Sequence, residues 1–168
     1  MTHPINIRGR FPKGWKLATP LMLFSTLLTF SSYSLSQNLV SNPGFENGTS
    51  GWTLDDDAAA QYTESSGRSG DRLTHWSSSA SYTANTNQTI SGLANGTYRL
   101  SAYTVGGATS GAWLWAYCDG NSYSSTIPAA GWGNWTEVAV EGIEVSGGSC
   151  QIGITTEDSE WTSIDDVV

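Results

Sequence analysis

Basic side chains are scarce in this chain: seven Lys and Arg stand against fifteen Asp and Glu in 168 residues. Four of the seven (Arg8, Arg10, Lys13 and Lys16) sit near the start, so from residue 37 onward three basic residues face fifteen acidic ones, a net of −12. That balance excludes nucleic acid, whose phosphates need Lys and Arg, and anionic membrane surfaces; it suits a neutral ligand or a bound cation. Histidine is nearly missing. Only His75 remains beyond the first few residues, which rules out His-based triads and His-rich metal sites. The glycine-rich stretches "GGATSG" and "GWGNWTE" precede neither a lysine nor a helix start, so no phosphate cradle is expected. The carboxylates are scattered, "LDDDA" in a solvated turn and "TTEDSE" in a loop, whereas a glycoside hydrolase needs a pair flanking a cleft. Helical periodicity, internal repeats and long linkers are all lacking.

The start of the chain reads as a targeting segment. Its basic residues precede an apolar run, "LATPLMLFSTLLTF" (17–30), too short for a membrane span. Ser34 and Ser36 then supply a −3/−1 pattern of small residues. Residues 1–36 are expected to be a signal peptide cleaved near Ser36/Gln37, which makes the remainder secreted and extracellular, without a membrane partner after cleavage; an uncleaved N-terminal anchor is the alternative. Cysteine is limited to Cys118 and Cys150. An even count in an exported chain suggests a disulfide, with a loop whose closure contributes about 3–4 kcal/mol in the chain-entropy model; two free buried thiols are the alternative.

What is abundant is turn-forming and aromatic: nineteen Gly, eight Trp and seven Tyr. Short alternating runs separated by "NPG", "SGRSGD", "ANG", "CDGN" and "SGG" predict strands over 38–40, 43–46, 58–64, 71–76, 86–90, 97–105, 112–118, 134–140, 143–145, 149–156 and 163–168. That rhythm is the rhythm of an all-β sandwich spanning 37–168. "SIDDVV" reads as a last strand that stops early, as in a fragment of a longer protein.

Strand alternation assigns faces. In "AWLWAYC", Leu114, Ala116 and Cys118 fall on one face and Trp113, Trp115 and Tyr117 on the other. Tyr98, Leu100 and Ala102 likewise separate from Arg99, Ser101, Tyr103 and Val105, and Cys150, Ile152 and Ile154 from Gln151, Gly153 and Thr155. Small apolar sets suit the interior, which puts both cysteines inside and makes their bridge coherent. The aromatic set then faces outward, where exposed rings mark a binding surface. Sugars suit such rings: the C–H face of a pyranose stacks on an aromatic plane, and galactose, with its axial 4-OH, leaves one face largely C–H. The inverse assignment, with Trp113 and Trp115 filling the core, is the alternative. Trp52 and Trp135 read as structural anchors.

"NLVSNPGFENGTSGWT", "SGDRLTHW", "NQTISGLANGTYRLSAYTVGG", "GWGNWTEVAVEGIEVSGGSCQIGI" and "EWTSIDDVV", in that order, resemble the galactose-binding-like β-sandwich carbohydrate-binding modules, and most of all family 61, the β-1,4-galactan-binding modules of secreted endo-β-1,4-galactanases. The resemblance implies a jelly-roll sandwich that is itself non-catalytic, its partners being a polysaccharide (β-1,4-galactan) and an attached or associated galactanase. It implies a ligand surface at Trp76, Tyr103, Trp115, Trp132 and Trp161, with His75 nearby; because His75 shares a face with Leu73, an interior place is also open to it. It further implies a structural Ca²⁺ joining the first and last strands, held by Glu46 and by Asp165 or Asp166 with carbonyls near Gly70 and Asp71, the hard oxygen donors calcium takes. A sandwich of this kind for xylan or β-glucan, or a structural or adhesive sandwich without a sugar site, are the competing readings.

Overall fold

The computed structural model describes residues 37–168 apart from 79–80, 108–109 and 158–159. The expected signal segment, 1–36, lies outside the described residues. Among those described, ten strands form: β1 (Thr53–Asp56), β2 (Gln61–Ser65), β3 (Asp71–His75), β4 (Thr83–Ser91), β5 (Gly96–Gly106), β6 (Ala112–Cys118), β7 (Asn121–Thr126), β8 (Thr136–Val145), β9 (Ser149–Glu157) and β10 (Thr162–Asp165). They make two five-stranded sheets, ordered β1-β4-β9-β6-β7 (sheet A) and β2-β3-β10-β5-β8 (sheet B), and every pairing is antiparallel. No described helix is long and apolar enough to cross a membrane.

The alternation that places β6 is visible in its exposure. Ala112, Leu114, Ala116 and Cys118 are buried, while Trp113 and Trp115 are half-buried and Tyr117 is 48% exposed. The inward residues meet Ile152 and Ile154 of β9 and, from sheet B, Leu73, Leu100, Ala102, Val138 and Ile164 in one core. Cys118 and Cys150 stand opposite each other on β6 and β9 and are disulfide-bonded.

Several strand expectations are corrected. Segment 38–40 forms no regular structure and 43–46 lies in turns. Asn42 and Phe45 hold positive φ (48° and 58°), the Asn42 amide binds the Gly48 and Ser50 carbonyls, and Phe45 enters the core stacked on Trp52, centroids 5.1 Å apart. Trp52 is thus structural as read, whereas Trp135 is half-buried and outside the core. Strands β1 and β7 went unpredicted; β7, "NSYSST", is a hydroxyl-rich edge strand without the apolar alternation that signals burial. Segments 134–140 and 143–145 join into β8, whose partner β5 shifts register between Tyr98 and Leu100. The final strand ends at Asp165; Asp166 turns with φ 51°, after which Val168 exchanges two backbone hydrogen bonds with Ser101.

Candidate functional site

Outward positions of sheet B carry an open groove of about 430 Å³ lined by Tyr62, Glu64, Arg72, Thr74 and Ser163 on its floor and Trp76, Trp132 and Trp161 on its walls. Antiparallel register sets the floor: Tyr62 pairs with Thr74, Glu64 with Arg72, and Ser163 with Thr74, and directly opposed residues share a face. Trp76 leaves β3 one residue past its end, its N–H bonded to Ala60 O at 2.9 Å, and is 48% exposed. Trp161 sits just before β10 on the backbone of Gly107, where a Cβ would overlap its indole; Gly107 N–H donates to Trp161 O at 3.0 Å. Trp132 belongs to a loop docked on β5 by Gly131 N–H to Gly106 O at 2.9 Å. Its ring is 68% exposed and tilted 46° against Trp161, centroids 5.5 Å apart.

Arg72 fixes the floor. Its guanidinium is buried, and each of its three nitrogens donates once, to Ser66 O (2.9 Å), Glu64 Oε2 (3.2 Å) and Thr74 Oγ1 (3.4 Å); its Cζ lies 4.8 Å from the Trp132 centroid, a cation–π contact that holds the ring. Burial, and then the Glu64 carboxylate, push the Tyr62 phenol above its ordinary pKa, so it stays a neutral donor. The groove thus offers exposed ring faces beside a cation, a carboxylate, a phenol and two hydroxyls, the mixture that stacks on C–H surface and bonds hydroxyls.

The sequence-predicted ligand residues divide three ways. Trp76, Trp132 and Trp161 come together in the groove. Tyr103 shares the outer face of sheet B, opposite Asp165, but Arg68 Cζ lies 3.7 Å from its ring centroid and occupies that face. Trp115 stands on β6, in sheet A, on the opposite side of the sandwich, and does not belong to this groove. His75 does not join the ligand residues but takes the interior place that its parity with Leu73 left open: it is fully buried beside Leu73, because alternation on β3 turns both inward. Its Nδ1 lies 3.0 Å from Thr156 Oγ1 and its Nε2 2.9 Å from Thr86 Oγ1. Since Thr86 donates its own proton to Gln61 Oε1 at 2.6 Å, Nε2 must be the imidazole donor and Nδ1 the acceptor. Arg72, Glu64 and Thr74 were missed; Arg72, in "SGDRLTHW", has the same parity as Thr74 and Trp76, which was the available signal.

The residues proposed for a cation meet in part. Both the Glu46 and Asp165 carboxylates border Gly44, where a Cβ would lie 3.4 Å from Asp165 Oδ1 and 3.6 Å from Glu46 Oε1. Glu46 Oε1 accepts from Asp71 N–H (3.1 Å) and Asp165 Oδ2 from Ser69 N–H (2.8 Å), so both carboxylates grip the Gly67–Asp71 turn. Asp165 is fully buried in the fold, and desolvation raises its pKa. Asp166 turns away to Arg68 (2.5 Å) and Ser69 Oγ (3.1 Å). Among the described residues no group of three or more His, Cys, Asp and Glu side chains is placed to hold a metal. Two carboxylates beside one turn, with the Asp71 carbonyl close by at Gly67, nevertheless fit a hard cation whose remaining donors are main-chain oxygens.

No protein-family model matches the chain, and no curated protein matches it. Solved structures do. With its two antiparallel sheets, the chain has the galactose-binding-like β-sandwich of carbohydrate-binding modules. Within that class it is similar to the family 61 module TmCBM61, solved in complex with β-1,4-galactotriose: 27% identity, TM-score 0.68, covering 79% of this chain and 97% of that one. It shares the fold of a family 16 carbohydrate-binding module (16% identity, TM-score 0.56, covering 78% and 98%). The fold also matches a part of the enzymatically active domain of bacteriophage CBA120 tailspike protein 4 (18% identity, TM-score 0.64, covering 78% of this chain and 21% of that one).

Proposed function

We propose that this domain is a non-catalytic, secreted module that binds β-1,4-galactan in the sheet B groove, stacking galactose rings on Trp132, Trp161 and Trp76. The observation that carries this is the exposed Trp132 ring seated on Trp161 and over Arg72. A ring that exposed and that firmly held loses little freedom on binding, and preorganisation lowers the cost of association. Glu64 and Thr74 bond the sugar hydroxyls at the groove floor. Galactan as ligand is supported by the galactotriose in the similar family 61 module. The module's partner is an attached or associated galactanase, which tethering concentrates at the polysaccharide. Export is supported by the Cys118–Cys150 bridge. A calcium ion is proposed at Glu46 and Asp165, with carbonyls of the Gly67–Asp71 turn; bound there, it would offset the buried charge of Asp165 and tie the N-terminal turn to β10.

Affinity electrophoresis through gels containing galactan, xylan or β-glucan tests the ligand. Retardation by galactan, weakened in Trp132→Ala, is expected; retardation by xylan with none by galactan overturns the choice of glycan.

A further inference from the structure

Trp113, Trp115 and Tyr117 point outward from the sheet opposite the groove, at alternate positions of one strand, a row of about 13 Å by strand geometry. The middle ring is locked. The Trp115 indole lies across β9, where a Cβ on Gly153 would overlap it, and its Nε1–H donates to Thr155 Oγ1 at 3.0 Å. The ring therefore presses on backbone while the residue stays half-buried.

Polar rows flank this strip on both sides. Toward β4, Gln151 Nε2 donates to Asn87 Oδ1 (2.9 Å) and Asn87 Nδ2 to Asp55 Oδ2 (2.7 Å), while Thr155 Oγ1 meets Asn85 Oδ1 at 3.4 Å. Toward the edge, β7 sets the exposed hydroxyls of Thr126, Ser124 and Ser122 opposite Trp113, Trp115 and Tyr117. The outward positions of β4, β6 and β7 hold no charged side chain; β9 has one only at its last residue, Glu157, and Asp55 lies on edge strand β1. On a domain of net −12, an uncharged strip of rings between amides and hydroxyls is complementary to an uncharged polyhydroxylated chain. It lacks the contiguous apolar centre of a stable protein interface.

We propose that this face is a second saccharide platform, which takes a neutral polysaccharide chain along Trp113, Trp115 and Tyr117 independently of the groove. Together with the groove it lets one domain grip two chains, and that last step alone rests on the reading of the groove given above.

The test is affinity electrophoresis of the full chain in galactan, xylan and β-glucan gels, paired with turbidity of each soluble glycan on mixing. Trp115→Ala removes the central ring; Ser124→Arg, on the exposed edge strand directly opposite Trp115, obstructs the platform while keeping that ring and the core unchanged, which guards against misfolding of the first variant. The expected result is that Trp132→Ala keeps part of the retardation, that Ser124→Arg or Trp115→Ala in the Trp132→Ala background removes the rest, and that each single variant abolishes turbidity. If Trp132→Ala alone abolishes all retardation while both platform variants match the parent, the platform is refuted and the groove stands. If the platform variants abolish retardation and Trp132→Ala matches the parent, the platform stands and the groove reading fails. A parent chain retarded by none of the glycans overturns both, and a dimer in sedimentation that Ser124→Arg dissolves makes the face a contact between copies instead.

Discussion

The buried imidazole should make this sandwich sensitive to mild acid. His75 is enclosed between the sheets, and desolvation lowers its pKa from 6.5 to about 3. The unfolded chain binds a proton as pH falls through 6.5, whereas the folded chain resists until about 3. Stability from this residue is therefore present at neutral pH and lost as pH falls through that window. Between pH 7 and pH 5 the loss is about 2 kcal/mol, since each unit of separation is worth about 1.4 kcal/mol; for a domain of this size that lowers Tm by roughly 7 °C. The carboxylates whose pKa is lowered by hydrogen bonds, Asp119 through Ser146 and Glu137 through Arg99, release their stability only at lower pH. Calorimetry or urea unfolding at both pH values, on the parent and on His75→Gln, isolates the contribution of this residue. The glutamine variant is expected to be weaker at pH 7, because Thr156 loses its acceptor, by about 1–3 kcal/mol, and to lose about 2 kcal/mol less than the parent on going to pH 5. An unchanged pH dependence in the variant, or a His75 resonance titrating near 6.5 in the native protein, would refute the reasoning.

Four further outcomes are expected. Trp132→Ala should weaken binding to galactan oligosaccharides by about 1–2 kcal/mol, roughly five- to thirtyfold, in calorimetric titration. Gly107→Ala should lower affinity while removing no aromatic residue, because its Cβ displaces the Trp161 indole; fluorescence titration reads the change. Calcium at a hundredfold excess over its Kd should stabilise the domain by about 2.7 kcal/mol, and chelator should reverse this in the parent but do nothing in Asp165→Asn. Reduction of Cys118–Cys150 under native conditions should cost about 3–4 kcal/mol in urea unfolding.

Local alternation carried much of this architecture. The faces of β6 and β9, the interior cysteine pair and the parity of His75 with Leu73 all follow from the two-residue period. What alternation does not encode is the assignment of strands to sheets. Trp115 and Trp161 both read as outward rings, yet β6 pairs with β9 while β10 pairs with β3 and β5, and those long-range pairings place the two rings on opposite sides. The groove floor was hidden for the same reason: Arg72 and Glu64 become neighbours only through the β2–β3 register. Segments 38–40 and 43–46 resemble strands because Val40 and Phe45 look like strand residues, while Asn42 and Pro43 decide the backbone of the turn and Phe45 reaches the core from a left-handed conformation.

The most direct test is a crystal structure of the domain grown with β-1,4-galactotriose. The account predicts a pyranose ring lying against the exposed face of Trp132, with Glu64 or Thr74 within hydrogen-bond distance of its hydroxyls. Sugar bound elsewhere, with the Trp132–Trp161 pair left bare, would contradict it.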